Sequence, residues 1–158
     1  MPFKEDLLAF LRDAENVLFI GIGNVLRRDD AAGIKVVKIL KKKGMENVLN
    51  CESSPENYTG IIKKLHPSHI IFFDAVEMGR EPGHYEIIEE NALCEYIQST
   101  HKISLRLLFQ ILRMDLPHVK ILFVGIQPKN IDFGRYISRP VRRGINSLVN
   151  EIIEVMKK

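Results

Sequence analysis

Asp29 and Asp30 close the stretch "GIGNVLRRDDAAG", and Asp74 ends "IIFFDA", directly after four apolar residues. A carboxylate in such a place is costly unless it is paired or ligating. His101 stands in the polar turn of "QSTHKISLRLL", just before an apolar-periodic run. Asp30, Asp74 and His101 together offer two oxygens and one imidazole. That set suits general acid–base work, or a borderline divalent cation such as nickel, zinc or iron with open coordination positions.

Blander readings stand beside this one. Helix capping accounts equally well for one of the two adjacent aspartates. Asp74 can be read as a surface-turn residue, since Glu77 and Gly79 soon follow, and a lone turn histidine is more often solvated than ligating. A phosphate site is the weaker alternative. Gly21 and Gly23 match the start of a dinucleotide fingerprint, but Leu26 stands where its third glycine belongs. Asp29 and Asp30 at the start of the next helix would also repel an anion. Neither HExxH nor GxSxG occurs, so zincin and serine-hydrolase chemistry find no support.

The elements that must position these residues follow from hydrophobic periodicity. Residues 16–24, 68–76 and 118–128 are apolar runs of the length of strands buried on both faces. Residues 46–53 form a further strand, and 83–91 a half-exposed one. Helices are expected over 1–15, 30–44, 54–67, 92–98, 103–115 and 138–158. The first carries Phe3, Leu7, Leu8 and Leu11 on one face, and the last spaces Val141, Ile145, Leu148, Ile152 and Val155 to pack.

Strands alternating with helices predict one α/β domain over residues 1–158. Its twisted, mostly parallel sheet of about five strands carries helices on both faces. In such a sheet ligands bind beyond the carboxyl ends of the strands. That edge gathers Gly21 to Asp30, Asp74 and the residues after Gly125. His66, His69 and His118 read as surface residues, and His84 as opening the half-exposed strand.

The chain has 158 residues, of which 46% are apolar and 27% charged, with a formal charge of +3. A domain of this size buries roughly 70% of its unfolded surface and needs no disulfide staple. The two cysteines, Cys51 and Cys94, are no CxxC and point to a reducing, cytoplasmic setting. No stretch reads as a membrane span or signal peptide, and no aromatic-and-basic interleaving calls for nucleic acid.

In this order, "GIGNVLRRDDAAG", "DAVEMGREPG", "THKISLRLL" and "GIQPKNIDFGRYIS" resemble the nickel–iron hydrogenase maturation endopeptidases, from about residue 17 to the end of the last helix. "SSPEN" and "GIQP" look closest to the branch that serves formate-hydrogenlyase-type hydrogenases. The resemblance implies an endopeptidase that removes the C-terminal extension of a hydrogenase large-subunit precursor after nickel insertion. Asp30, Asp74 and His101 would act as the catalytic and metal-contacting set. The nickel would arrive with the precursor, and zinc or cadmium could replace it in vitro. Gly21, Gly23, Asn24 and Asp29 would meet the bound peptide, and the enzyme would work as a monomer.

Ala31 stands where many members of the family have glycine, and Asp30 where some have Glu. The helix before residue 16 has no counterpart in the family pattern. A hydrolase with its own permanent metal, and a non-catalytic nickel-binding module, are the competing readings.

Overall fold

The computed structural model describes residues 2–96 and 100–157, with the side chains at 94–96 and 100–104 excepted. Helix α1 (Pro2–Phe10) leads into β1 (Val17–Gly21), a 3-10 turn (Arg28–Ala31) and α2 (Ala32–Lys42). Then come β2 (Val48–Asn50), a second 3-10 turn (Pro55–Tyr58), α3 (Thr59–Lys64) and β3 (His69–Ala75). The chain closes with β4 (Tyr85–Ile88), α4 (Glu90–Tyr96), α5 (Thr100–Asp115), β5 (Lys120–Ile126) and α6 (Arg139–Met156).

The five strands lie in the order β2-β1-β3-β5-β4. All neighbours are parallel except β4 on β5. This is the mostly parallel sheet expected, because the apolar runs are long enough to be buried on both faces. Strand side chains alternate between two cores. Leu18, Ile20, Ile70, Phe72 and Phe123 meet α3, α4 and α5 on one side. Phe19, Ile71, Phe73 and Val124 meet α1, α2 and α6 on the other.

Helix α6 buries all five residues of its predicted stripe. Each fully buried side chain of that size contributes about 1.5–3 kcal/mol by area. Gly44, with φ +103, ends α2 as the left-handed residue such a stop requires.

Boundaries differ in three places with consequences. The helix expected over 54–67 begins with a 3-10 turn that has Pro55 at its start. Helix α5 begins at Thr100, which moves residue 101 from the expected turn into a first helical turn. His69, expected at the surface, is only 2% exposed. The end of α1 and the linker after it cover the amino end of the sheet there: Phe10 packs edge-on to the His69 ring at 5.0 Å, and Ser68 Oγ lies 2.9 Å from its Nδ1. Asp13 Oδ1 stands 3.3 Å from Nε2. The extra N-terminal helix therefore belongs to the fold as a cover. His66 and His118 are exposed as expected, and His84, also exposed, stands just before β4 rather than in it.

Candidate active site

The carboxyl edge of the sheet is built by close backbone packing. Ile22 N–H donates to Phe73 O at 2.9 Å, extending the β1–β3 pairing one residue beyond β1. Gly33, at the start of α2, lies directly over that edge. A Cβ there would stand 2.1 Å from Phe73 O and 2.6 Å from Ile22 O. Only glycine lets α2 descend this far, and the descent sets the 3-10 turn with Asp30 against β3.

Gly21 and Gly23 are buried in the same packing. A Cβ on Gly21 would meet Gly33 O at 2.5 Å, and one on Gly23 would meet Asp30 O at 2.1 Å. In this structure both glycines give room to the protein's own helix and turn. Asn24 Oδ1 accepts the N–H of Leu26 at 2.9 Å, which folds the loop back on itself.

The two adjacent aspartates have separate fates. Asp29 is 0% exposed, and its carboxylate serves the loop after β5. Lys129 N–H and Asn130 N–H donate to Oδ2 at 2.8 and 3.0 Å, and Ser138 Oγ donates to the same oxygen at 2.8 Å. Ser138 N–H donates to Oδ1 at 2.7 Å. Four donors from one loop surround the group, so the Asp29 carboxylate organises the loop beside the site. Neither the 3-10 turn nor α2 has a side-chain cap, so the capping reading does not describe the pair either.

The loops after β1 and β5 are further zipped together. Gly134 N–H donates to Leu26 O at 2.9 Å and Arg28 N–H to Gly134 O at 3.0 Å. Asp29 N–H donates to Asn130 O at 3.1 Å, and Arg27 Nε to Ile131 O at 3.1 Å. These contacts hold Arg28 at φ +48, a left-handed conformation that costs a non-glycine residue about 1 kcal/mol or more.

Asp30 and Asp74 remain at the edge itself, 7% and 1% exposed. Asp74 lies on β3 opposite Gly125 of β5. Gln127 supports the loop that follows it: Oε1 accepts Met78 N–H at 2.7 Å and Arg80 N–H at 3.2 Å, while Nε2 donates to Glu77 Oε2 at 2.8 Å. Sequence reasoning missed both Gln127 and Ser138. The signal for them was their place in "GIQPKNIDFGRYIS", directly after a buried strand.

The third member of the expected set, His101, falls in the first turn of α5, and its side chain lies outside the described residues. Among the described residues, no group of three His, Cys, Asp or Glu side chains is placed to hold a metal ion. Cys51 follows β2, is buried, and is raised to about 12 by desolvation and then by Glu52. It stays a neutral thiol at neutral pH, which leaves it no nucleophilic role.

Comparison with known proteins agrees with this architecture. A sequence model of the family HycI, hydrogenase maturation protease, matches residues 34–155. A Methanocaldococcus jannaschii protein provisionally named as a hydrogenase maturation protease is 35% identical, over 98% of this chain and 96% of its own. The hydrogenase 3 maturation protease of Escherichia coli K12 is 29% identical, over 83% of this chain and 85% of its own. The crystal structure of the hydrogenase maturation protease HycI from Thermococcus kodakarensis superposes with a TM-score of 0.85 at 28% identity, covering 97% of this chain and 99% of that one. With a match over most of its length and a shared fold, the chain belongs to the hydrogenase maturation protease family.

Proposed function

We propose that this protein is the endopeptidase that cuts the C-terminal extension from a nickel–iron hydrogenase large-subunit precursor, once nickel has been inserted. Family membership supplies the reaction class. The observation that carries the site is the burial of Asp30 and Asp74 at the carboxyl edge of the sheet, beside a turn whose other acid is committed to its own loop. Buried carboxylates with that setting suit acid–base work or a cation contact rather than solubility.

The nickel is cargo of the precursor. Asp30 and Asp74 would offer it oxygens, and His101 a nitrogen. The contact would hold the scissile peptide at the edge, so that much of the rate comes from positioning. Water is the attacking group, consistent with the neutral Cys51 thiol. No helix among the described residues is long and apolar enough to cross a membrane. The reading also takes the enzyme to act as a monomer in the cytoplasm.

The test is the intact mass of the cognate precursor after incubation with this protein, with and without nickel loaded. Loss of a C-terminal peptide only from the nickel-loaded form is expected, and Asp74→Asn should slow it by at least 100-fold without lowering the melting temperature. Cleavage of both forms would keep the peptidase and remove the nickel contact. Retained binding with no cleavage of either form would replace the peptidase with a nickel-binding assembly module.

A further inference from the structure

Beside the 3-10 turn lies a cleft of about 420 Å³, lined by residues of α2, of the loop after β5 and of α6. Ala31, the residue after Asp30, is part of its lining, so the cleft borders the turn that carries Asp30. Four of its lining residues are cations: Lys35 and Lys38 of α2, Arg135 of the loop and Arg142 of α6. All four are exposed, and none of its lining residues is acidic. Among the described residues, none of these cations has a carboxylate within ion-pair distance, whereas Lys4, Lys63, Arg80, Arg113 and Lys120 each do. Val25 and Tyr136, 48% and 81% exposed, add apolar surface.

Four like charges converging on one cleft raise the local positive potential and repel one another. A negatively charged occupant removes that cost. The size selects the kind of occupant: it falls in the range of about 300–1,000 Å³ that holds a small ligand or a short peptide segment. A folded partner would need a face of about 800 Å² instead.

We propose that this cleft holds the C-terminal extension of the precursor during cleavage, with its terminal carboxylate among Lys35, Lys38, Arg135 and Arg142. This rests on the peptidase reading above. Any C-terminal segment ends in a carboxylate, and guanidinium groups take carboxylates in bidentate fashion. The extension also needs a hold of its own, because the nickel stays with the body of the precursor and restrains only that side of the bond. Exposed apolar surface from Val25 and Tyr136 then receives the side chains that precede the terminus.

The test uses a synthetic peptide with the sequence of the extension, as free acid and as C-terminal amide, with binding read by fluorescence anisotropy. Wild-type protein should bind the acid, and Lys38→Glu/Arg142→Glu should weaken binding at least 10-fold. Amidation should weaken binding to wild type several-fold and change little for the variant. With nickel-loaded precursor the same variant should raise KM at least 10-fold and leave kcat within twofold. Both positions are exposed, and an unchanged melting temperature would verify that the variant is folded.

Cleavage and peptide binding that ignore both substitutions would overturn the cleft assignment and leave the peptidase intact. A raised KM with no binding of the free peptide would also overturn it, because the cleft would then dock the precursor body. Charge-dependent, carboxylate-dependent binding in a protein that cuts no precursor would uphold the cleft and discard the peptidase reading.

Discussion

The carboxylate of Asp29 receives both the backbone N–H of Ser138, at 2.7 Å, and its hydroxyl, at 2.8 Å, across 109 residues of chain. Ser138 is the residue before α6, where a serine hydroxyl usually caps the helix. It makes no such cap here, because the hydroxyl is given to Asp29. The start of α6 and the loop after β5 are thereby pinned to the turn that carries Asp30.

Asp29→Asn should therefore loosen the loop over residues 129–138 before it unfolds the sheet. The amide keeps one acceptor and turns an NH₂ group toward backbone N–H donors. Hydrogen bonds to a buried charge contribute about 1.5–3 kcal/mol each relative to their loss, so a total cost of about 2–4 kcal/mol is expected. Ser138→Ala, which keeps the backbone donor, should cost about 1 kcal/mol. Urea denaturation measures both, and limited proteolysis should cut the Asn variant first in this loop. A cost below about 1 kcal/mol for Asp29→Asn would refute the hub.

How far these roles were legible depends on the distance between partners. The place of Asp74 at the end of a buried strand was legible because four apolar residues run straight into a carboxylate. The sheet was legible for the same reason, from Ile70 to Phe73. The role of Asp29 was not, since all its donors lie about a hundred residues on and nothing local distinguishes it from Asp30. His69 was misread because its cover comes from Phe10, at the end of α1, and Asp13, in the linker after it, whose docking no periodicity records. The early start of α5 reflects Thr100 and His101, polar residues that extend a helix as readily as they precede one.

Gly33 and Gly60 should respond to alanine in opposite directions. A Cβ at Gly33 would collide with Phe73 O at 2.1 Å, and backbone cannot move aside cheaply. Gly33→Ala should lose about 3 kcal/mol or more, through the overpacking and backbone strain that produce large single-site effects. Gly60, in α3, has nothing within 4 Å of its added Cβ. There alanine should gain about 0.5–1 kcal/mol by restricting the unfolded chain. Guanidinium denaturation of the pair checks the sign, and equal responses would refute the close approach of α2 to β3.

Alkaline stability should depend on Tyr85. Its hydroxyl donates to Glu151 at 2.9 Å and lies 3.2 Å from Ser147 Oγ, while Phe3 packs edge-on to its ring at 5.0 Å. Burial, and with it the Glu151 carboxylate, push it from 10.0 up to about 12, against an opposing effect from Ser147. A folded value above the unfolded one means the neutral phenol stabilises the fold. That contribution is complete below pH 10 and is lost as pH rises through about 12. Tyr85→Phe should flatten this part of the stability curve, and wild type should show one tyrosinate ionising late in a spectroscopic titration. Tyr58→Phe serves as a comparison, because Tyr58 is also raised, chiefly by its bond to Glu52. An unaltered alkaline slope in Tyr85→Phe would contradict the assignment.

Gln127→Glu should make the loop after β3 sensitive to pH. The native amide is used on both sides: Oε1 accepts from Met78 and Arg80, and Nε2 donates to Glu77 Oε2 at 2.8 Å and to Pro128 O at 3.1 Å. Glutamate keeps the acceptor but sets a second oxygen against a carboxylate and a carbonyl. A single proton shared between the introduced carboxyl group and Glu77 restores the contact, so the pair holds a proton more tightly folded than unfolded. A raised carboxyl value stabilises the fold below the ordinary carboxylate range, near pH 4, and the benefit is lost as pH rises above it. The variant should therefore approach wild-type stability at about pH 4 and fall about 2–4 kcal/mol below it by about pH 8. Gln127→Leu should show a deficit that hardly changes with pH. Urea midpoints across that range separate the two, and a flat profile for Gln127→Glu would mean that Glu77 does not face this residue in solution.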